Sequence, residues 1–170
     1  MPPIFVAIDF ETADYQPDSA CAVGLVRVEN WDVTARVSRL IRPPRSSIHF
    51  SYLHGITWDH VKNEPPFADV WSDAQSILDG AEFLVAHNAG FDRGVLAACC
   101  AAARLPMPPA PFVCSMREAR RRWGIYPTKL PHVCARLGIP LRHHDALSDA
   151  EAAARIIIAA RSAPQTPARG

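Results

Sequence analysis

The chain has 170 residues, of which 49% are apolar and 21% are charged, and its formal net charge at pH 7 is +1. A chain of this length can bury a full core, so we expect one globular domain rather than two. A charge so close to zero excludes a global positive field that draws a protein onto nucleic acid. Any polyanion must therefore be bound through local features or through metal ions.

The N-terminal part of the chain predicts three strands and a long loop. Residues 4–8 and 20–28 are apolar runs with β-branched members, and residues 33–41 alternate between apolar and polar types until a proline pair ends the segment. Three successive strands predict a meander. The segment 42–66 that follows is expected to be a loop.

The middle of the chain alternates helical and strand patterns. Gly80 and Gly138 stop two of the helices, and the proline-rich segment 105–111 cannot form regular structure. The predicted elements are a helix over 67–78, a strand over 83–86, a helix over 91–104, a strand over 112–114, and helices over 116–123 and 130–137. Strands first, and then strands alternating with helices, predict an α/β sandwich with a mixed sheet.

The last helix is predicted over 150–161, with either Asp145 or Ser148 as its N-cap. Residues 162–170 form a polar, proline-containing tail that we expect to be disordered. The longest strongly apolar stretch, residues 153–160, is too short to span a bilayer, and the N-terminus carries no basic and apolar leader. We therefore expect a soluble, cytoplasmic protein without membrane contact.

The cysteines indicate a reduced interior. They are five in number, form no Cys-x-x-Cys pair and lie in apolar segments, at positions 21, 99, 100, 114 and 134. This pattern favours buried thiols over disulfides or zinc ligands.

Acidic side chains stand at points where apolar segments end. Asp9 and Glu11 are two residues apart at the end of the first strand, so the period of two points both to one side of the sheet. Asp92 follows the strand over 83–86, where it could also serve only as a helix cap. Asp149 lies in the first turn of the last helix, where the macrodipole favours an ionised carboxylate. His144 lies just before that turn.

If these groups converge in the fold, they need cations. Like charges repel by roughly 4 kcal/mol per close pair at an effective dielectric of 20. Divalent ions would hold such a cluster ionised, and hard oxygen ligands favour magnesium or manganese. Two such ions can activate a water and relieve charge on a leaving oxygen, which is what phosphodiester cleavage needs.

Four sequence blocks occur in one order along the chain: Asp9-Phe10-Glu11-Thr12, His54-Gly55-Ile56-Thr57, His87-Asn88-Ala89-Gly90-Phe91-Asp92, and His144 followed five residues later by Asp149. Over residues 4–160 the chain resembles the DEDDh exonucleases. That family includes the epsilon proofreading subunit of bacterial DNA polymerase III, ribonuclease T and oligoribonuclease. The resemblance implies a ribonuclease H-like fold with a central mixed five-stranded sheet flanked by helices, within an exonuclease domain of residues 1–162.

The resemblance also implies a catalytic set of Asp9, Glu11, Asp92, His144 and Asp149. By that likeness Asp9, Glu11 and Asp149 bind the first of two Mg²⁺ or Mn²⁺ ions, and Asp9 bridges to the second. Asp92 would hold its ion mainly through water. Histidine has the ordinary pKa that suits a general base, and His144 would take the proton from the attacking water.

Neighbouring positions compete for two of these roles. His143 and Asp145 are adjacent rivals that periodicity cannot separate from His144, and only the five-residue spacing to Asp149 selects His144. The plainer interpretation makes His143 a solvent-exposed histidine beside a helix cap.

The implied activity is metal-dependent 3′-to-5′ hydrolysis of single-stranded nucleic acid that releases nucleoside 5′-monophosphates. The loop block around His54 favours DNA. The alternatives are a 3′-to-5′ exoribonuclease of the ribonuclease T or oligoribonuclease type, and a polymerase-accessory module that binds nucleic acid. A DNA polymerase or repair complex in trans is a candidate partner, and the oligomeric state is not predicted.

Candidate substrate-binding residues surround the acidic blocks: Phe10, Thr12, His54, His87, Asn88 and Phe91. Phe91 could instead belong to the core, and His54 could have a purely structural role. Arg117, Arg120, Arg121, Arg122 and Lys129 are the basic concentration of the chain, interleaved with Trp123 and Tyr126. This cluster either guides a single strand or forms the solvated face of a helix, and we favour the helix face.

Overall fold

The computed structural model describes residues 2–162, so residues 163–170 of the predicted tail lie outside the described residues. A mixed sheet of five strands forms the centre of the protein, in the order β3-β2-β1-β4-β5. The strands are β1 (Phe5–Thr12), β2 (Ala20–Glu29), β3 (Asp32–Leu40), β4 (Phe83–Ala86) and β5 (Phe112–Cys114). The first three form an antiparallel meander, and β4 and β5 add parallel to β1. The predicted α/β architecture with a mixed five-stranded sheet is confirmed.

Strand β1 extends beyond the apolar run of residues 4–8. Pairing with β2 continues it to Thr12, so Asp9 and Glu11 lie at its C-terminal end, where the sequence places them. Asp9 lies opposite Gly24, and Glu11 lies opposite Ala22. Both acids are therefore held in an extended, hydrogen-bonded backbone rather than in a turn.

The helices flank the sheet. They are α1 (Ser51–His54), α2 (Trp58–Val61), α3 (Phe67–Ala74), α4 (Ala89–Ala103), α5 (Ser115–Trp123), α6 (Leu130–Leu137) and α7 (Ala146–Ser162), and a 3-10 turn, Gln75–Leu78, continues α3. The prediction of a structureless loop over 42–66 was wrong, since α1 and α2 each form one helical turn there. Helix α7 begins four residues before the predicted start because Asp145 Oδ1 accepts the Ser148 N–H at 2.9 Å, which makes Asp145 the capping side chain.

Alternation along β1 divides its side chains between two cores. Val6, Ile8 and Phe10 belong to the core on the side of α3 and α4. Phe5 and Ala7 belong to the core under α7. Because side chains alternate, Asp9 and Glu11 continue the row that faces α7.

The start of α7 lies unusually close to the sheet at Gly24. A Cβ atom on Gly24 would lie 2.2 Å from the Ala146 carbonyl oxygen and 2.5 Å from the Leu147 nitrogen. Only glycine leaves room for helix backbone at this distance. Since Gly24 is the strand partner of Asp9, this contact sets how near the first turn of α7 comes to the acids of β1.

Two further sequence predictions concern the state of the cysteines and the lack of a membrane-spanning helix. Cys21, Cys99, Cys100 and Cys134 are buried and free, as predicted, and Cys114 is free and half-buried. Within residues 2–162, no helix combines the length and the apolar character needed to cross a bilayer.

We predict that Gly24→Ala lowers the free energy of unfolding by about 1–3 kcal/mol, because the methyl group must push α7 off the sheet. Denaturant unfolding measures the change. Gly94→Ala is the matched control, since a Cβ there meets nothing within 4 Å and alanine favours a helix interior. An unchanged stability in Gly24→Ala would show that α7 does not depend on this contact.

Candidate active site

Three carboxylates from two elements meet between the sheet and the first turn of α7. Oxygen atoms of Asp9, Glu11 and Asp149 all lie within 4.8 Å of one another. Glu11 is 9% exposed and Asp149 is 4% exposed, so the cluster is largely shielded from water. These three acids, which are far apart in the sequence, thus come together in the fold.

The cap of α7 orients Asp149. Its Oδ2 accepts the backbone N–H of His144 at 3.2 Å and lies 2.8 Å from His143 Nδ1. Its Oδ1 is buried and has no hydrogen-bond partner within residues 2–162. A buried carboxylate oxygen without a partner is costly, and here it belongs to the three-carboxylate cluster.

Asp92 reaches the C-terminal end of β1 from α4, on the face of the sheet opposite to α7. It lies in the first turn of α4 and is 1% exposed, and its Oδ1 accepts the Phe10 N–H at 3.0 Å. Strand β4 pairs with β1 only as far as Ala7, so the carboxylate of Asp92 takes the place of a strand partner for Phe10. Asn88 holds the N-cap position of α4, which excludes the interpretation of Asp92 as the helix cap.

Burial and mutual repulsion raise the pKa values of the acids. The pKa of Asp9 lies well above its ordinary value, because of burial first and then the charges of Asp92, Asp149 and Glu11. Burial and the neighbouring carboxylates raise the pKa of Glu11 to about 8. Burial likewise raises the pKa of Asp92 to about 7. These groups cannot all stay ionised near neutral pH without positive charge between them.

Divalent cations fit this donor set. Clustered carboxylate oxygens, one of them without a protein donor, are the hard ligands that magnesium and manganese prefer. Asp9, Glu11 and Asp149 could hold an ion directly, and Asp92 adds a fourth negative charge beside them.

Two histidines flank Asp149 in different ways. Their rings stack with centroids 3.9 Å apart. The Nδ1 atom of His143 lies 2.8 Å from the carboxylate of Asp149, and 38% of its side chain is exposed. The interpretation of His143 as a solvent-exposed histidine beside the helix cap did not include this contact with the acid. The ring of His144 has no hydrogen bond to another group within residues 2–162, and burial followed by the charge of His143 lowers its pKa. A neutral imidazole with a free nitrogen can accept a proton.

An open pocket of about 400 Å³ lies against the acids. It is lined by Asp9, Phe10, Glu11, Thr12, Phe50, Leu53, His54, Asn88, Phe91, His143, His144 and Asp149. Five of the six predicted substrate-binding residues are in this set. Phe91 is 50% exposed, so its alternative interpretation as a core residue is wrong.

His87 lies outside the lining of this pocket. Its Nδ1 is 2.9 Å from Ser115 Oγ, and its Nε2 is 2.9 Å from the Thr128 carbonyl oxygen. Both ring nitrogens are thus used to join the end of β4 to α5 and the segment before α6. His87 thus has a structural role in this arrangement, and a contact with substrate stays a prediction.

His54 lines the pocket and also anchors its wall. Its Nδ1 accepts the Ile56 N–H at 3.0 Å, which leaves the proton on Nε2, 3.1 Å from the Thr12 carbonyl oxygen. The ring therefore ties α1 to the end of β1. Both predicted roles, structural and pocket-lining, are compatible with this position.

The sequence interpretation missed Phe50 and Leu53. Both line the pocket from the segment that we expected to be a loop, and Leu53 is 45% exposed. Tyr15, 78% exposed, packs edge-on against Phe50 with ring centroids 4.8 Å apart. The signal in the sequence was a group of large apolar side chains in an otherwise polar loop, directly before His54.

The basic cluster is mostly engaged within the protein. Arg121 and Arg122 pair with Glu118 one turn earlier on α5, at 2.7 Å and 3.7 Å. Arg120 Nε donates to Thr128 Oγ1 at 2.7 Å. These contacts agree with the interpretation that we favoured, in which the cluster is the solvated face of a helix. None of the three arginines lines the pocket beside the acids.

Comparisons with known proteins lead to one group of nucleases. A family model described as RNase T, exonuclease, matches residues 6–157. The chain is 32% identical over 160 residues to exodeoxyribonuclease 10 of Escherichia coli (strain K12), which covers 89% of this chain and 66% of that protein. It is 42% identical over 94 residues to the 3′-5′ exonuclease DinG of Bacillus subtilis (strain 168), which covers 53% of this chain and 10% of DinG.

A third relative is a PolC-type DNA polymerase III of Thermotoga maritima, 29% identical over 158 residues, which cover 91% of this chain and 12% of the polymerase. The chain thus spans about a tenth of the DinG and PolC relatives, and just under two thirds of exodeoxyribonuclease 10. The matched segments of 94, 158 and 160 residues each have the length of one domain, so these matches describe a shared domain.

Solved structures show the same fold. Exonuclease X in complex with 5′ overhanging duplex DNA superposes with a TM-score of 0.74 and 30% identity, over 93% of this chain and 92% of that one. The nuclease domain of 3′hExo, a DEDDh family member bound to rAMP, gives a TM-score of 0.80 at 19% identity, over 99% and 98%. The second similarity supports the fold alone.

We predict that Glu11→Gln raises the melting temperature of the metal-free protein at pH 8 by about 2–5 °C. The carboxyl has a pKa of about 8 when folded and an ordinary value of 4.5, so ionisation of Glu11 favours the unfolded chain increasingly as pH rises between these values. Glutamine cannot ionise, so the variant does not suffer this loss of folding stability. The gain should vanish at pH 4, where the carboxyl is protonated in both states.

Thermal unfolding in excess chelator, repeated with magnesium or manganese, measures this effect. Glu151→Gln is the matched control with the opposite sign, since Arg36 and Arg155 lower the pKa of Glu151 to about 2 and its charge stabilises the fold at pH 8. A lower melting temperature for metal-free Glu11→Gln at pH 8 would contradict the repulsion that we assign to the cluster.

Proposed function

Since the chain belongs to the RNase T exonuclease family, we propose that it is a metal-dependent 3′-to-5′ exonuclease. Its substrate is single-stranded DNA, from which it releases nucleoside 5′-monophosphates. The observation that carries this proposal is the meeting of Asp9, Glu11 and Asp149 at the wall of an open pocket that also contains an unpartnered imidazole.

Asp9, Glu11 and Asp149 would hold the two divalent ions, with Asp92 acting mainly through water. When bound, the ions lower the pKa of a water and neutralise the charge that develops on the leaving 3′ oxygen. In the reaction the water oxygen attacks phosphorus and the bond from phosphorus to the 3′ oxygen breaks. The released 3′ oxygen takes a proton from solvent, so the shortened strand ends in a new 3′ hydroxyl.

His144 takes the proton of the attacking water. Its ring lines the pocket, has no hydrogen-bond partner within residues 2–162, and has a lowered pKa that keeps it neutral near pH 7. His143 has a different task, since its Nδ1 is bound to Asp149. It positions the carboxylate and supports the ring of His144 by stacking.

The terminal nucleotide would occupy the pocket beside the acids. Phe91 and Leu53 expose apolar surface that can pack on a base, and Tyr15 with Phe50 extends this surface at the rim. Thr12 and Asn88 add polar groups near the sugar and phosphate. The polar and apolar parts of the pocket thus match the two parts of a nucleotide.

The preference for DNA rests on relatives and on the loop block. Exodeoxyribonuclease 10 is named for DNA, and exonuclease X was solved with DNA. The segment His54-Gly55-Ile56-Thr57 resembles that of proofreading-type members. Action beside a polymerase or repair complex, and a cytoplasmic location, stay predictions.

We predict that Asp9→Asn lowers the rate of hydrolysis of a labelled single strand by at least about 100-fold, because even indirect metal partners contribute up to that factor. Excess chelator should abolish the wild-type activity, and manganese should restore it. Asp32→Asn, at an exposed acid that begins β3, is the control and should keep full activity. Equal rates for wild type and Asp9→Asn would remove the enzyme interpretation.

The same assay with matched DNA and RNA strands tests the substrate. A higher kcat/KM on DNA supports the proposal, and a higher value on RNA would make the protein an exoribonuclease. Binding of the strand without any turnover would favour the accessory module.

We predict that His144→Ala lowers the single-turnover rate by roughly 100- to 10,000-fold, the range for a lost general base, while metal binding survives. His143→Ala should lose about 10- to 100-fold, as expected of a residue that orients a ligand, and should also weaken metal affinity. Rates and the metal concentration for half-maximal activity separate the two. A larger rate loss in His143→Ala would transfer the base role to His143.

A further inference from the structure

A second groove, with a volume of about 920 Å³, runs between α4 and the proline-rich segment that precedes β5. Residues of α4 and the start of α5 form its sides, among them Asn88, Gly90, Arg93, Gly94 and Arg117. We infer that this groove binds the sugar-phosphate backbone of the single strand whose 3′ end lies in the active site. The inference rests on the proposed function and adds to it the path that the strand follows.

The groove continues from the active-site pocket. Asn88 lines both cavities, at the point where β4 ends and α4 begins. Its backbone has a left-handed conformation with φ of 70°, and its side chain makes no cap hydrogen bond. The exposed amide therefore lies at the junction, where it can donate to a phosphate or sugar oxygen of a strand that passes from one cavity to the other.

The charge of the groove suits a polyanion. Arg93 and Arg117 are exposed, and neither has a hydrogen-bond or ion-pair partner within residues 2–162. The groove lining contains no acidic side chain. This separates Arg117 from the rest of the basic cluster, in which Arg121 and Arg122 are paired with Glu118. Two available guanidinium groups in the groove lining, one from α4 and one from α5, can each contact a phosphate of the strand.

The shape of the groove also favours a closely approaching backbone. Gly90 and Gly94 are one turn apart on α4, and a Cβ atom on either would meet nothing within 4 Å. Glycine weakens a helix relative to alanine, yet no contact in the described part of the chain requires it at these positions. Together with the arginines, the bare helix surface leaves room for a strand to lie directly on α4.

The test compares a long single-stranded oligonucleotide with a dinucleotide, which fills the active site and is too short to enter the groove. In Arg93→Ala/Arg117→Ala we expect KM for the long strand to rise about 10-fold with kcat unchanged, and KM for the dinucleotide to stay the same. The slope of log(1/KM) against log salt should become shallower by about 1.4 for the long strand, because two phosphate contacts are lost.

Two further variants separate binding from folding and from net charge. Gly94→Glu places a carboxylate on this helix surface and should raise KM for the long strand, and Gly94→Ala, which adds a methyl group without charge, should raise it less. Arg39→Ala/Arg136→Ala removes the same charge from β3 and α6, outside the groove, and should leave both substrates unaffected. Circular dichroism melting verifies that each variant is folded.

Equal kinetics of wild type and Arg93→Ala/Arg117→Ala on the long strand would overturn the inference. An equal loss on the dinucleotide would also overturn it, because the arginines would then act at the active site itself. If the wild type hydrolyses neither substrate, the proposed function fails instead. Fluorescence anisotropy then measures the Kd of the long strand and tests strand binding in the groove independently of hydrolysis. An unchanged Kd in Arg93→Ala/Arg117→Ala would overturn the inference.

Discussion

The repulsion among buried carboxylates at the contact between β1 and α7 is the constraint on which the rest of the site depends. Gly24 lets the helix backbone approach the sheet, and Asp149 thereby enters the space that Asp9 and Glu11 face. The apolar side of α7, including Ala150 and Ala153, packs on the same sheet and offsets the unfavourable charges. A stable fold thus holds acids in a proximity that they would not adopt in solution, which is the condition for tight binding of cations.

The fourth carboxylate joins the same arrangement through the backbone. Strand β4 stops pairing with β1 after Ala7, and Asp92 supplies the acceptor for Phe10. This hydrogen bond to the backbone of β1 therefore also fixes the carboxylate of Asp92 beside the cluster of Asp9, Glu11 and Asp149. Where one parallel strand stops before its neighbour, the carboxyl end of the longer strand keeps backbone N–H groups without a strand partner. The carboxyl ends of the strands are also where α/β proteins form their sites.

The N-terminus of α4 connects the two cavities of the protein. Phe91 faces the active-site pocket, Gly90 and Gly94 face the groove, and Asn88 belongs to both. Because residues one position apart on a helix point in different directions, this one short segment lines both cavities. Acidic side chains line the pocket, whereas the lining of the groove contains arginines and no acid.

The amino-acid sequence by itself determined the strands, most helices and the mixed type of the sheet, since apolar periodicity encodes these features. The set of acids was implied by the resemblance of the four sequence blocks, because local pattern alone left Asp92 as a possible helix cap. Asp9 and Glu11 share a side because strands alternate. Only the tertiary structure decided which histidines face the pocket. His87 turns to Ser115, whereas His143 and His144 both line the pocket. Such directions, like the inward position of Phe50, arise from contacts between segments far apart in the chain, which no local pattern records.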